Sequence, residues 1–500
     1  MYSAIGRDLN DTPFAVEVCV IRSSRDVLAS RGSLRDEMAA AHLGDARLDA
    51  RRDRVIGALE QHPDVGFPSA CGTDADTEAL YRFLRNPRVS LERVLTPHVR
   101  ATVDRCQAVG EVLVIHDSTD NVFSGEKARA GLTKVGPRRH EFWLHAALAV
   151  SADGLRAPLG VLELAPWVRQ TPPTRMAKPH WRERFKDPSK ESRRWIRGVH
   201  AVRQRLGPEV RTIHLMDREG DNYELFAEAI QHGERFVIRL NYDRRLADED
   251  ETGMATIATA MPTAVLCVRE VPVSARQVGT RPTPLVARRP PRASRTATIR
   301  ITAASVTLKR PHDHRDPLPR ALPVHVVYAW EPDPPTGEPP IEWRLVTTEP
   351  IDTVEQVERI VDWYRTRWLI EEFFKCLKTG CAYEKRQLET LETLETLLVA
   401  LGLLAPIAWQ LLLMRHLAHT CGEVRATVAL THRQLTVLRA TPRGTMLSAT
   451  SSIHDALLVV AGLGGHLRQN GDPGWLVLTR GMQKLRDMEI GWAAAERSRM

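Results

Sequence analysis

The stretch Tyr364-Arg-Thr-Arg-Trp-Leu-Ile-Glu-Glu-Phe-Phe-Lys-Cys-Leu-Lys378, closed by Gly380, separates into two faces when wound at 3.6 residues per turn. Tyr364, Arg367, Glu371, Lys375 and Lys378 follow one another at intervals of three, four, four and three residues and form one polar stripe. Leu369, Ile370, Phe373, Phe374 and Leu377 fall on the opposite side and are predicted to pack into a core. A solvated helix face explains such a stripe by itself, its Glu371–Lys375 pair adding about 0.2–0.5 kcal/mol. Two features point further. The chain has ten Lys against sixty Arg, yet two of the ten lie on this stripe. Tyr, Arg and Lys also supply donors or charge to phosphate oxygens, and a lone Glu among them is placed as a metal ligand beside phosphates.

Upstream, two runs share one pattern. Glu111-Val-Leu-Val-Ile-His-Asp117 and Val210-Arg-Thr-Ile-His-Leu-Met-Asp217 are each short and largely apolar and end in an Asp. Each is predicted to be a buried strand that delivers its carboxylate at the C-terminal end. Alone, such an Asp is usually a turn residue or helix cap. Joined with Glu371, the pair has the layout of a two-metal phosphoryl-transfer site. Cations about 4 Å apart need carboxylates from separate elements, and oxygen-only donors favour magnesium or manganese.

Around these elements, residues 1–30 show no strong pattern and are expected to be a loose arm. Residues 31–95 read as a helical module, with Asp45 as a cap and Arg47, Arg51 and Arg54 on one helix face. That face suits DNA, although the interleaved Asp49 and Asp53 suit an ordinary surface helix equally. Asp74–Leu84 reads as a second helix ending at Arg85-Asn86-Pro87. From 241 to 342, frequent Pro and Arg and short β-like runs predict an inserted, mostly antiparallel subdomain. The core resumes with Trp343. Leu397 to Met414 is almost wholly apolar but contains Gly402, Pro406 and Gln410, so a buried core helix is expected rather than a membrane span. The helices of 391–500 suit a bundle or a dimer interface.

Composition narrows the classes. At 500 residues, 43% apolar and 26% charged, the chain is that of a soluble multidomain protein. The net charge of +8 favours a polyanionic partner, and it concentrates locally. Eleven Lys/Arg face three Asp/Glu between Thr174 and Leu206, and Arg276 to Arg300 holds seven Arg and no acid. Seven Cys form no C-x-x-C pair, which fits reduced thiols in a cytoplasmic protein and argues against a disulfide framework. The N-terminus lacks a basic-then-apolar signal pattern.

The string Y-x-x-R-W-x-I-E-x-F-x-K-x-x-K-x-G from Tyr364 to Gly380 resembles the signature of the insertion sequence four family of bacterial cut-and-paste transposases. The likeness continues in order through Leu43-Gly-Asp45 with Arg47, Tyr81-Arg-Phe-Leu-Arg-Asn-Pro87, Asp117-Ser-Thr, Lys190-Glu-Ser192 with Trp195, Asp217-Arg-Glu219, Gly474-Trp475 and Gly481 to Leu485. The resemblance implies an α/β protein with a ribonuclease H-like catalytic core at 96–390 carrying the β insertion. A helical DNA end-binding domain at 31–95 and a helical dimerisation domain at 391–500 would flank it. It makes Asp117, Asp217 and Glu371 a catalytic triad holding two divalent ions, magnesium or manganese. Tyr364, Arg367, Lys375 and Lys378 would hold phosphates, and Arg239 would contact DNA near the active site. Trp343 would stack on a base flipped out during hairpin formation, with a core Trp as the open alternative. The implied activity is DNA cutting and joining by a homodimer on transposon ends and target DNA. A metal-dependent nuclease without strand transfer and a transposase-derived repressor are the alternatives.

Overall fold

The structure, a computed structural model, describes residues 22–40, 42–125, 129–136, 138–169, 191–247, 255–273, 275, 292–312, 318–385, 393–467, 469 and 471–498. Most of the expected arm, Lys190 and most of the arginine-rich 276–300 run lie outside them. Five helices open the described residues: α1 (Ser24–Ala29), α2 (Leu34–Ala39), α3 (Ala46–Gln61), α4 (Phe67–Cys71) and α5 (Asp74–Leu84). Residues 24–29 are thus helical rather than loose. Ser23 caps them and Leu28 is fully buried, so an apolar contact anchors what periodicity was too short to reveal. Asp45 caps α3 by accepting from the Arg47 N–H at 2.8 Å. The long helix α6 (Leu91–Val109) then leads into the sheet.

One ten-stranded sheet organises the chain. Its strands are β1 (Glu111–Ser124), β2 (Thr133–Gly136), β3 (Arg139–Ser151), β4 (Pro158–Trp167), β5 (Arg211–Met216), β6 (Arg235–Arg239), β7 (Cys267–Val273), β8 (Arg295–Lys309), β9 (Ala321–Trp330) and β10 (Glu342–Thr347). They run in the order β2-β3-β1-β5-β6-β10-β9-β8-β7, with β4 on β3. β1, β5 and β6 are parallel, and every other pairing is antiparallel. The strands within 241–342 therefore extend the central sheet through β10 rather than forming a layer of their own.

The helices α7 (Arg193–Leu206) and α8 (Tyr223–Gln231) follow β4 and β5, and the single turn α9 (Ile257–Ala260) follows β6. Alternation along the central strands feeds two cores. Val237 and Leu345 join the larger cluster, built with α6 and the C-terminal helices. Phe236, Ile238 and Val346 point the other way, into a second cluster with Trp195, Val199, Leu225 and Phe226 of α7 and α8. Buried on both faces, the central strands hold fixed whatever their ends carry.

After β10 come α10 (Val354–Thr366), α11 (Trp368–Lys375), a π turn (Cys376–Gly380), and then α12 (Leu394–Thr420), α13 (His432–Arg439), α14 (Ile453–Leu463) and α15 (Trp475–Arg497). α12 is long and apolar enough to cross a bilayer, but it packs against α6, β4 and α14. Every side chain from Val399 to Met414 is buried. Trp409 in its middle is fully buried, donates Nε1–H to the Pro158 carbonyl at 3.0 Å and carries the Arg105 guanidinium 4.5 Å from its ring. This is the centre of a core.

Candidate active site

Strand register sets the first two acids. β1 and β5 pair in parallel from Glu111↔Arg211 to Ile115↔Leu215. Two residues past the last pair stand Asp117 and Asp217, side by side where β5 ends. β1 itself does not stop at Asp117, as the apolar run had suggested. It runs on to Ser124, because β3 keeps pairing with it as far as Arg139. Asp117 is therefore a mid-strand residue opposite Ala146, at the point where β1 outruns its parallel neighbour. Asp217 begins a 3₁₀ turn (Arg218–Gly220), its Oδ1 accepting from the Glu219 N–H at 2.8 Å.

The third acid arrives from α11. Arg367, at the junction of α10 and α11, donates Nη1–H to Asp117 Oδ2 at 3.1 Å and Nη2–H to Glu371 Oε1. One guanidinium thus ties the strand carboxylate to the helix carboxylate. Burial pushes the Asp117 carboxyl from its ordinary 3.8 up to about 7. Arg367 and the Ser118 N–H (2.7 Å) oppose the rise, while the charges of Asp217 and Glu371 add to it. Two oxygen-donor acids share one cation and the charge of a third, Asp217, reaches Asp117; oxygen donors of this kind suit a divalent ion. Such an ion would supply to all three the charge that Arg367 gives to two.

The rest of the stripe divides. Tyr364 is buried, not exposed; it meets Trp343 edge-on at 5.3 Å and bonds Arg239, and burial raises its phenol. Arg239 also donates to the Glu342 carbonyl at 2.7 Å. Lys375 is exposed, pairs with Glu372 at 2.7 Å and lies 4.9 Å from the Trp368 ring. The π turn swings Lys378 to the Asp120 carbonyl and to Glu384 at 3.1 Å. One straight helix would have kept the lysines in line; the i→i+5 turn re-aims the second. On α3, Arg47 and Arg54 are exposed, and Arg51 lies 3.8 Å from Asp76. Their neighbour Arg52 is buried on Asp53 (2.9 Å) and the Ala39 carbonyl (3.2 Å).

Sequence reading missed Arg194. Its Nε–H donates to Ser118 Oγ at 3.0 Å and its Nη2–H to Glu219, so it links the residues that follow both strand acids. His145 Nδ1 lies 3.0 Å from the same Ser118 hydroxyl. The signal was the cation next to Trp195, a tryptophan that packs fully buried against His145. Beside the acids opens a cleft of about 670 Å³, lined by Arg239, Arg269, Arg292, Trp343, Arg365 and Arg367. Trp343 is half-buried on its wall. A larger cavity of about 950 Å³, between α5, α6, β4 and α12, contains none of the predicted site residues.

Two regions of the chain match known families. Residues 30–89 match the transposase DNA-binding family, and residues 175–405 match the transposase DDE domain. The second match covers Asp217, Arg239, Trp343 and the whole Tyr364–Lys378 stripe; Asp117 precedes it. With a DNA-binding domain ahead of a domain whose chemistry is metal-dependent DNA cleavage, the chain is a DDE transposase.

Proposed function

We propose that this enzyme is a cut-and-paste transposase of the insertion sequence four family, using Asp117, Asp217 and Glu371 to hold two divalent ions, magnesium or manganese. The carrying observation is the parallel register that sets Asp117 beside Asp217, with Glu371 joined to Asp117 through Arg367. A ribonuclease H-like core is supported by the strand order β4-β3-β1-β5-β6, antiparallel on one side of β1 and parallel on the other. Bound there, the ions would supply activation of an attacking oxygen and neutralisation of a leaving one.

The chain's own residues do the positioning. Arg239, Arg367 and the arginine-lined cleft receive the strand's phosphates, and exposed Lys375 fixes register at the rim. Lys378 joins them by exchanging Asp120 for a phosphate oxygen. Trp343, on the cleft wall against Tyr364, offers a face for a base displaced from the stack as a hairpin forms. Arg47, Arg51 and Arg54 serve end recognition, and residues 391–500 serve pairing of two subunits on two ends in the bacterial cytoplasm.

The test is a labelled duplex carrying the element's own terminal repeat, incubated with magnesium and then with chelator. Flank-free, hairpin-ended product appearing only with metal supports the proposal. Cutting without joining to target DNA would leave a nuclease, and binding without cutting a repressor.

A further inference from the structure

Across the second core from the acids, α7 and α8 bring together a different donor set. His200 lies on the rim of α7, beside the buried face formed by Trp195, Ile196, Val199 and Val202. Glu228 lies in the last turn of α8, and His232, its C-cap, stands four residues on and on the same side. His200 Nε2 is 2.9 Å from Glu228 Oε1, and His232 Nδ1 is 3.8 Å from that same oxygen. The two rings meet edge to face with centroids 5.9 Å apart. One ligand atom from each of the three lies within 4.8 Å of the others, the one such His/Cys/Asp/Glu cluster among the described residues.

We propose that His200, Glu228 and His232 form a second metal site, of the zinc class and distinct from the acidic one. Bonds of about 2.0–2.1 Å in a tetrahedral shell set neighbouring donor atoms roughly 3.3 Å apart, a spacing that 2.9 and 3.8 Å bracket. Two imidazoles and one carboxylate select zinc, cobalt, nickel or copper over magnesium, whereas Asp117, Asp217 and Glu371 offer oxygen alone. No Lys or Arg pairs with Glu228 among the described residues, so its carboxylate is committed only to the two histidines. His232 Nδ1 also lies 2.9 Å from the Glu228 carbonyl oxygen, a hydrogen bond in which Nδ1–H donates, so taking up an ion at that nitrogen releases its proton and exchanges this contact for the metal. The three side chains are 35%, 33% and 36% exposed, which leaves a path for an ion and a vacant position for water.

Such an ion would fasten α7 to α8. α7 carries Arg194, which bonds Ser118 and Glu219, and α8 begins just after the turn that Asp217 caps. The clamp would hold the segments behind two of the acids without touching DNA.

The test uses full-length protein free of any polyhistidine tag, stripped with chelator and titrated with zinc in excess magnesium. One equivalent is expected to bind, and cobalt in its place should give the intense visible bands of a four- or five-coordinate ion. His200→Ala and His232→Ala should each weaken binding by more than the roughly 10–100-fold that loss of an outer-shell partner costs. Asp217→Asn should keep the equivalent, which separates this site from the catalytic one. Both histidine variants should keep their circular dichroism and their magnesium-dependent cleavage. Zinc binding unchanged in the histidine variants, or a cobalt spectrum of the hydrated ion only, would overturn the proposal.

Discussion

Asp117→Asn tests the electrostatics of the site without needing DNA. In the metal-free protein the Asp117 carboxyl is lifted from 3.8 to about 7, first by burial and then by Asp217 and Glu371. For an acid raised on folding, the folded state is favoured below the unfolded value and loses that advantage as the pH rises through the folded one. The window here is therefore pH 3.8 to about 7. The full displacement corresponds to about 4 kcal/mol, a ceiling that solvent at the 15% exposed side chain lowers somewhat. Between pH 5 and pH 8 the wild type should lose about 2–3 kcal/mol relative to the Asn variant, which has no proton to give up. Denaturant melts in chelator across that range read the difference. Magnesium at pH 8 should close the gap in the wild type and leave the variant unmoved. Arg367→Gln removes the main opposing charge, so the wild-type loss should deepen and extend above pH 7. A wild-type-to-variant gap that stays constant from pH 5 to pH 8 would refute the reasoning.

Other perturbations reach separate links. Glu371→Gln or Asp217→Ala should abolish metal-dependent cleavage while specific end binding by gel shift persists; near-normal cutting by either would remove that residue from the site. Lys375→Ala should lower DNA affinity evenly across sequences and reduce the salt slope by about 1, as loss of one phosphate contact does. Trp409→Ala should cost about 3–5 kcal/mol in chemical denaturation, since it empties the centre of α12's packing and strands the Pro158 carbonyl. Gly198→Ala should cost about 1–3 kcal/mol, because the added Cβ would stand 2.8 Å from His145 Nε2 and 3.0 Å from His116 Nδ1.

The sequence by itself determined the local chemistry. Short apolar runs placed the strands that lead to Asp117 and Asp217, and 3.6-residue spacing placed Arg367 one turn from Glu371, where they do bond. A Pro-interrupted apolar run, Leu397 to Met414, was legible as a core helix because its small and polar residues suit close packing. Only the tertiary structure decided what those groups meet. That Asp117 lies mid-strand follows from β3 outlasting β5 as a partner, a non-local fact that no run of residues encodes. That Tyr364 is buried follows from Trp343 and Arg239, both distant in sequence, covering it. The π turn at Cys376 to Gly380 sends Lys375 and Lys378 to different partners although helical periodicity alone aligns them. Arg194, 23 residues before Asp217 and 77 after Asp117, becomes a link between them only when α7 lies against the sheet. Periodicity reports which face of an element is buried; pairing register and packing report against whom, and that is where the acids acquire their charges' neighbours.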